Sequence, residues 1–404
     1  MISDLEQIYS TNIKGMKKSV IRELLKLTQR PEVISFAGGL PAPESFPVQH
    51  LKEITADILD NDGQSALQYG ATEGVTELRQ IMVDRYNAQG MDIELKNLVI
   101  TTSSQQGLDL LAKIFINRGD KVICGLPSYL GGLGAFNSYG AEMIGIKFDE
   151  HGMRADLLDE KLAELKLQGI KPKFIYIIPD FQNPAGITMP ESRRMEIIEI
   201  AKKYDVLIVE DSPYREIRFE GKAQKTIFQL DGTGQVILLG TFSKIFVPGF
   251  RIGWVVAHEA IVDKFVTAKQ STDLCTPTLN QKIVHKYIEK GYFDTNLKEI
   301  IKQYHAKRDN MLQAFRDYMP AGVKWTEPEG GLFLFLSLPE GMDAENLFQK
   351  AIENNVAFVL GSVFHCDGSG KNTMRINFSF MPTDKTTEGV KRLAKAIKEE
   401  MEIQ

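Results

Sequence analysis

The chain is poor in cysteine. Its three, Cys124, Cys275 and Cys366, are far apart and odd in number. That argues against a disulfide framework and for a reducing compartment. No cysteine–histidine cluster has zinc spacing, so no metal site is expected. Positive charge is short as well. The formal net charge is −5, which gives a nucleic-acid partner no electrostatic support. No apolar run is long enough to span a bilayer. The start, Met1-Ile-Ser-Asp-Leu-Glu6, lacks the basic and apolar regions of a secretory signal. Low-complexity segments and repeats are missing too. These absences predict a cytoplasmic protein with no membrane or nucleic-acid partner.

What is present is ordinary in bulk and informative in pattern. A length of 404 residues exceeds what one core usually serves, so at least two domains are expected. Ser19-Val-Ile-Arg-Glu23 reads as an N-cap opening a helix through Leu27. Ile34-Ser-Phe-Ala-Gly-Gly-Leu-Pro-Ala-Pro43 cannot continue a helix. Its bare backbone is either a linker or a close approach to a ligand. Helices are expected over Gln49–Leu59 and Val75–Tyr86. From Leu98 short apolar runs recur: Leu98–Thr101, Lys121–Cys124, Glu142–Ile146, Phe174–Ile178, Val206–Glu210, Val236–Leu239 and Ile252–Val256. Helical patterns lie between most of them, at Gln105–Phe115, Ala155–Gln168 and Glu191–Lys203. This predicts an α/β fold: a mainly parallel sheet covered by helices on both faces. Beyond residue 258 the pattern is helical to about Tyr318. A smaller α/β unit follows, with strands in Leu332–Leu338 and Met374–Phe378 and helices in Ala344–Glu353 and Thr386–Glu400. The expected division is an arm at 1–45, a large domain at 46–290 and a small one at 291–404.

Ligands of such sheets sit at the carboxyl ends of the strands, so the residues just after each run matter most. Thr101-Thr-Ser-Ser-Gln-Gln-Gly107 opens a helix with hydroxyls, which serve as N-caps or as part of a phosphate site. Tyr129 follows another run and either stacks on a flat ring or packs in the core. Asn183 precedes a proline and is a turn former or a donor aimed at a cofactor oxygen. Asp211, in Glu210-Asp-Ser-Pro-Tyr214, caps the next element or keeps a pyridine nitrogen protonated. Tyr214 is placed to bond a ring hydroxyl. Thr241-Phe-Ser-Lys-Ile-Phe-Val-Pro-Gly-Phe-Arg251 sets Lys244 among hydroxyls and a guanidinium. A reactive lysine ringed by anion holders is what a Schiff-base cofactor needs. Arg375, inside a strand pattern, faces water or forks onto a carboxylate. Taken together, a phosphate cup, an aspartate, an asparagine, a tyrosine and one reactive lysine meet the needs of pyridoxal 5′-phosphate and of little else.

The order of these segments resembles the fold type I aminotransferases of class I/II, over essentially the whole chain. Within them it is similar to the 2-aminoadipate and kynurenine/2-aminoadipate aminotransferases. The matching text is Ile21-Arg-Glu-Leu-Leu-Lys-Leu-Thr-Gln-Arg-Pro31, Ser35-Phe-Ala-Gly-Gly-Leu-Pro-Ala-Pro43, Gln105-Gln-Gly107, Phe181-Gln-Asn-Pro184, Ser243-Lys244, Gly249-Phe-Arg-Ile-Gly253 and Asn354-Asn-Val-Ala-Phe358. The resemblance implies that Lys244 carries the cofactor and Asp211 pairs with its ring nitrogen. It assigns the ring oxygen to Asn183 and Tyr214, and the ring face to Tyr129. Ser104, Gln105, Thr241, Ser243 and Arg251 would hold the phosphate. Tyr69 would reach the phosphate in a neighbouring subunit of a homodimer. Gly39, Asn183 and Arg375 would take the substrate carboxylate, and Arg22 an acidic side chain. The implied reaction is a ping-pong transfer of an amino group from an L-amino acid to a 2-oxo acid such as 2-oxoglutarate.

Two departures bear on the substrate. Relatives often carry Phe-Val-Pro-Gly-x-x-Phe-Tyr where this chain has Phe358-Val-Leu-Gly-Ser-Val-Phe-His365. Leu360 removes a rigid turn residue and His365 replaces an aromatic one. Rival readings are a β-lyase or decarboxylase on the same fold, a cofactor-sensing regulator and a nicotinamide enzyme. Only about forty residues precede Gly38-Gly39, too few for a regulator's DNA-binding domain plus the arm. Gly131-Gly-Leu-Gly134 lacks the third spaced glycine of a dinucleotide fingerprint.

Overall fold

The stretch Phe174-Ile-Tyr-Ile177 shows why this chain builds a covered sheet. Successive strand residues point to opposite faces. Phe174 and Tyr176 enter one hydrophobic cluster, while Ile175 and Ile177 enter another. Both faces are therefore dry, and each buried Ile contributes about 2–3 kcal/mol by leaving water. The helices Ala155–Leu167 and Glu191–Tyr204 supply the second cluster through Leu158, Leu162, Ile197 and Ile198.

In a computed structural model, which describes residues 5–16 and 30–402, the strands in chain order are β1 Ile34–Ser35, β2 Leu98–Thr101, β3 Lys121–Leu126, β4 Glu142–Asp149, β5 Gly152–Met153, β6 Phe174–Ile177, β7 Leu207–Asp211, β8 Val236–Thr241, β9 Gly253–Val256, β10 Lys324–Trp325, β11 Phe333–Ser337, β12 Val356–Ala357, β13 Val359–Leu360 and β14 Thr373–Asn377. The large sheet has eight strands in the order β2-β9-β8-β7-β6-β3-β4-β5. Its centre, β8 to β4, is parallel. Strand β9 runs against β8 and β2, and β5 against β4. Gly253, which opens β9, pairs with both Thr101 and Thr241. The carboxyl ends of β2, β3, β6, β7 and β8 thus share one edge.

A second sheet, β10-β11-β14-β13, is antiparallel. Arg375 pairs there with Phe335 on one side and Val359 on the other. Strand β1 pairs with β12, and the chain after it is tied on both sides. Phe36 N–H donates to the Ala357 carbonyl at 2.8 Å, and the Phe36 carbonyl accepts from Asn377 N–H at 2.9 Å. This carries Ala37 and Gly39 to the edge of the large sheet.

The expected α/β fold and most of its elements are present, with shifted ends. The strand placed at Val206–Glu210 is Leu207–Asp211, because Val206 N–H still closes the preceding helix on the Ala201 carbonyl at 3.0 Å. Asp211 is thus the last strand residue. The helix expected from Gln105 begins at Ser103. β3 runs past Cys124 to Leu126, held by its register with β4. The helix placed at Gln49–Leu59 continues to Ala66, with a kink at Asp62. Strands β10 and β13 are two residues each, too short for periodicity to reveal. The helix expected at Ser19–Leu27 lies outside the described residues.

Candidate active site

The floor of the site comes from β7 and its neighbour. Asp211 is 1% exposed. Its Oδ2 accepts a 2.8 Å hydrogen bond from the Tyr176 hydroxyl. Its Oδ1 is buried with no hydrogen-bond partner. Burial raises this carboxyl to about 7, against the lowering effect of Tyr176. A buried, partnerless carboxylate oxygen costs free energy unless a donor meets it.

The next strand end brings Lys244. Its Nζ donates to the Gly39 carbonyl at 2.7 Å. Burial, then the charges of Arg375 and Arg251, lower the amine to about 8. Thr241 and Ser243 lie just before it, both buried, with the Thr241 hydroxyl 2.9 Å from that of Ser243. Arg251 stands at φ 56 and reaches Ser243 Oγ at 3.5 Å.

The helix Ser103–Phe115 starts beside these residues. Ser103 takes φ 68, and a Cβ on Gly253 would stand 2.6 Å from both Ser103 C and Ser104 N. Glycine is therefore required where β9 passes under the helix start. The first-turn N–H groups of that helix have no intrahelical partner and favour an anion. Gln105 spends its side chain on the Gly131 carbonyl, at 3.0 Å. That leaves its main-chain N–H, not its side chain, to meet an anion at the helix start. Gly131 lets Tyr129 lie close, since a Cβ there would come within 2.5 Å of the Tyr129 ring.

The roof is Arg375, 2% exposed on β14. It donates to Asn183 Oδ1 at 3.0 Å and to the Ala37 carbonyl at 2.8 Å. Its Nε is buried without a partner. The guanidinium carbon lies 4.3 Å from the Phe333 ring centroid and 5.1 Å from that of Phe364. Burial lowers this group to about 10. Asn183 uses its Nδ2 on the Tyr214 hydroxyl at 3.1 Å. Burial raises the hydroxyls of Tyr214 and Tyr129, and the charge of Asp211 adds to the rise in both. One chamber therefore holds Lys244, Asp211, Asn183, Tyr214, Tyr129, Arg251 and Arg375.

One named residue stands apart. Tyr69 is 79% exposed, outside the chamber of its own chain, on a loop held by Thr278 Oγ1 on the Gln68 carbonyl at 3.1 Å. Arg22 lies outside the described residues. His365 turns its ring onto main chain: Nδ1 is 2.9 Å from the Gly361 carbonyl, so that nitrogen carries the proton. Sequence reasoning overlooked Tyr176 and Phe333. A tyrosine inside an apolar strand must find a polar partner, which was a usable signal for Tyr176. Phe333 gave none, being indistinguishable from core.

These residues fit pyridoxal 5′-phosphate. The open Asp211 Oδ1 suits a protonated ring nitrogen, the Ser103–Gln105 turn with Thr241, Ser243 and Arg251 suits a phosphate, and Lys244 is a poised amine. A covered parallel sheet with this set at its strand ends is the apparatus of a pyridoxal-phosphate enzyme of fold type I.

Comparison with known proteins takes the class further. The family model described as "Aminotransferase class I and II" matches residues 31–393. The chain is 50% identical over 402 residues to aromatic-amino-acid aminotransferase 1 of Thermococcus litoralis, covering 98% of this chain and 96% of that one. A kynurenine aminotransferase of Pyrococcus horikoshii, solved in complex with PMP, superposes with a TM-score of 0.95 at 46% identity, covering 99% of both chains. The α-aminoadipate aminotransferase of Thermus thermophilus, complexed with N-(5′-phosphopyridoxyl)-L-leucine, gives 0.92 at 37% identity, covering 99% of this chain and 100% of that one. The chain belongs to the class I and II aminotransferase family. It is a pyridoxal-phosphate-dependent aminotransferase, and its reaction is amino-group transfer between amino acids and 2-oxo acids. Among the described residues, no helix is long and apolar enough to cross a membrane.

Proposed function

We propose that this enzyme takes amino groups from a broad set of L-amino acids, with aromatic, 2-aminoadipate-like and aliphatic side chains, and delivers them to 2-oxoglutarate. The observation that carries the reading is Arg375. It is buried, braced by Asn183 and Ala37, and has an open Nε. That arrangement recognises the α-carboxylate every donor and acceptor shares. It leaves the side chain to be read elsewhere, by Arg22 where it is acidic. The names of the relatives, spanning aromatic, kynurenine and α-aminoadipate donors, support a broad range.

In this proposal Lys244 holds the cofactor, Asp211 its ring nitrogen, Asn183 and Tyr214 its ring oxygen, and Tyr129 its ring face. Ser104, Gln105, Thr241, Ser243 and Arg251 hold its phosphate. When bound, pyridoxal 5′-phosphate withdraws electrons from the amino acid Cα and carries the amino group between the two half-reactions. Arg375 and Gly39 hold the substrate carboxylate, which fixes the Cα hydrogen toward Lys244. The Lys244 Nζ, free when the substrate amine has replaced it, takes that proton and later returns it. Asp211, when ionised, turns its open Oδ1 to the ring nitrogen. Phe333 and Phe364 keep water from the Arg375 fork, which strengthens its hold on a carboxylate.

The exposed Tyr69 supports a homodimer in which each chain completes the other's phosphate site. Mixing Lys244→Ala with Tyr69→Ala chains should then restore activity through mixed dimers with one intact site, and no recovery would exclude sharing. A cytoplasmic setting is in keeping with three cysteines present as thiols. The donor range is tested by a panel of amino acids against 2-oxoglutarate. A single accepted donor would overturn the breadth.

A further inference from the structure

Two of the cysteines that look unrelated in sequence meet in the fold. Cys124 and Cys366 are 242 positions apart, yet their sulfurs are 3.7 Å from each other. Cys124 lies in β3 of the large sheet and is fully buried. Cys366 follows the turn Gly361–Phe364, in the connection between β13 and β14 of the antiparallel sheet, and is half-buried. The main chain nearby is already joined, since Ser128 N–H donates to the Phe364 carbonyl at 2.7 Å. The thiols are thus held in contact by structure on both sides, with one of them open to solvent.

We propose that Cys124 and Cys366 form a reversible, hydroperoxide-driven disulfide that joins the large sheet to the segment carrying Phe364. The third cysteine, Cys275, takes no part. The Cys124 S–H donates to Cys366 Sγ, which pushes Cys124 up and Cys366 down as acids. The more exposed thiol is therefore the readier nucleophile. Cys366 thiolate attacks one oxygen of a hydroperoxide. The O–O bond breaks, the leaving alkoxide takes a proton and departs as alcohol (water, for hydrogen peroxide), and Cys366 becomes a sulfenic acid. Cys124 sulfur then attacks that sulfur. The S–S bond forms, the S–O bond breaks, and hydroxide leaves as water with the Cys124 proton. Two thiols lose two electrons and one peroxide gains them. A dithiol restores the pair by exchange.

The location gives the bond a consequence. Cys124 is five residues before Tyr129, and Cys366 two after Phe364, so the bond fastens two walls of the site to each other. Closing so long a loop also restricts the unfolded chain, so the oxidised enzyme resists denaturant better than the reduced one.

The test treats the holoenzyme with hydrogen peroxide in small excess, quenches it, and maps peptides without reduction. The expected result is a Cys124–Cys366 peptide pair two hydrogens lighter than its parts, with Cys275 still a thiol. Dithiothreitol should return both thiols and lower the denaturant midpoint to that of untreated enzyme. Cys366→Ala should keep basal turnover, lose the pair and leave Cys124 a thiol. Cys124→Ala should stop Cys366 at the sulfenic acid, trapped by dimedone. Cys366 oxidised to sulfinic acid beside an untouched Cys124 in the natural protein would overturn the proposal. So would two unreacted thiols, or bonding through Cys275.

Discussion

Lys244 makes the most quantitative claim. An ordinary lysine amine has a pKa of 10.5, whereas here burial and the charges of Arg375 and Arg251 lower it to about 8. At pH 7.5 that leaves roughly one Lys244 in four as the free amine, against roughly one in a thousand for an ordinary lysine, a gain of about 250-fold. The free amine is the form that can bond a carbonyl carbon. Cofactor-free enzyme should therefore attach pyridoxal 5′-phosphate at a rate that climbs with pH and levels off above about 8. The assay mixes the two at fixed pH, quenches with borohydride, and follows label on the Lys244 peptide over time. Lys244→Ala should show no label there. Arg375→Gln removes a nearby cation, so its curve should move to higher pH while keeping its plateau. A natural-enzyme curve still rising at pH 10 would refute the reasoning. So would a variant curve displaced to lower pH.

Three further outcomes follow from the chamber. In the proposed role, Asp211→Ala removes the buried charge that would face the ring nitrogen. An ion pair at about 4 Å in such a site is worth about 4 kcal/mol, so turnover should fall roughly a thousandfold; unchanged steady-state turnover would discard the role. Tyr176→Phe removes the bond that favours ionised Asp211, which raises that carboxyl further. Its ionised form is then lost at a higher pH, so the acid limb of the rate profile should shift upward, with turnover down about tenfold for one charged hydrogen bond. An acid limb that stays in place would contradict it. Arg375→Lys keeps the charge but loses the fork, so KM for amino acid and oxo acid alike should rise about 10–100-fold; a rise for only one of them would argue against a shared carboxylate site.

The parts of the fold visible in sequence were those with a repeating physical demand. Runs such as Phe174–Ile177 had to be apolar on both faces because two cores meet them. The chemistry at strand ends was visible because a sheet of this kind delivers those positions to one edge. What stayed hidden depended on distance along the chain. Nothing local to Ala37 or Gly39 announces that their carbonyls will meet Arg375 and Lys244. Nothing near Phe333 marks it as the ring under a guanidinium. The two-residue strands β10 and β13 exist only because β11 and β14 are beside them. The cysteines give the sharpest case. Their spacing argued against pairing, while the segment after the turn Gly361–Phe364 meets the end of β3 and brings two of them to 3.7 Å. Asp211 shows a smaller version: its type was legible, but its unpartnered Oδ1 was not.

The central claim is a two-stage transfer in which the enzyme itself stores the amino group. The most direct measurement gives cofactor-loaded enzyme an excess of amino acid with no oxo acid present, then adds 2-oxoglutarate after the donor is removed. The account predicts one 2-oxo acid per active site and then no more, followed by one glutamate per site on the second addition. Continuous release of ammonia or carbon dioxide in the first stage, or no glutamate in the second, would contradict it.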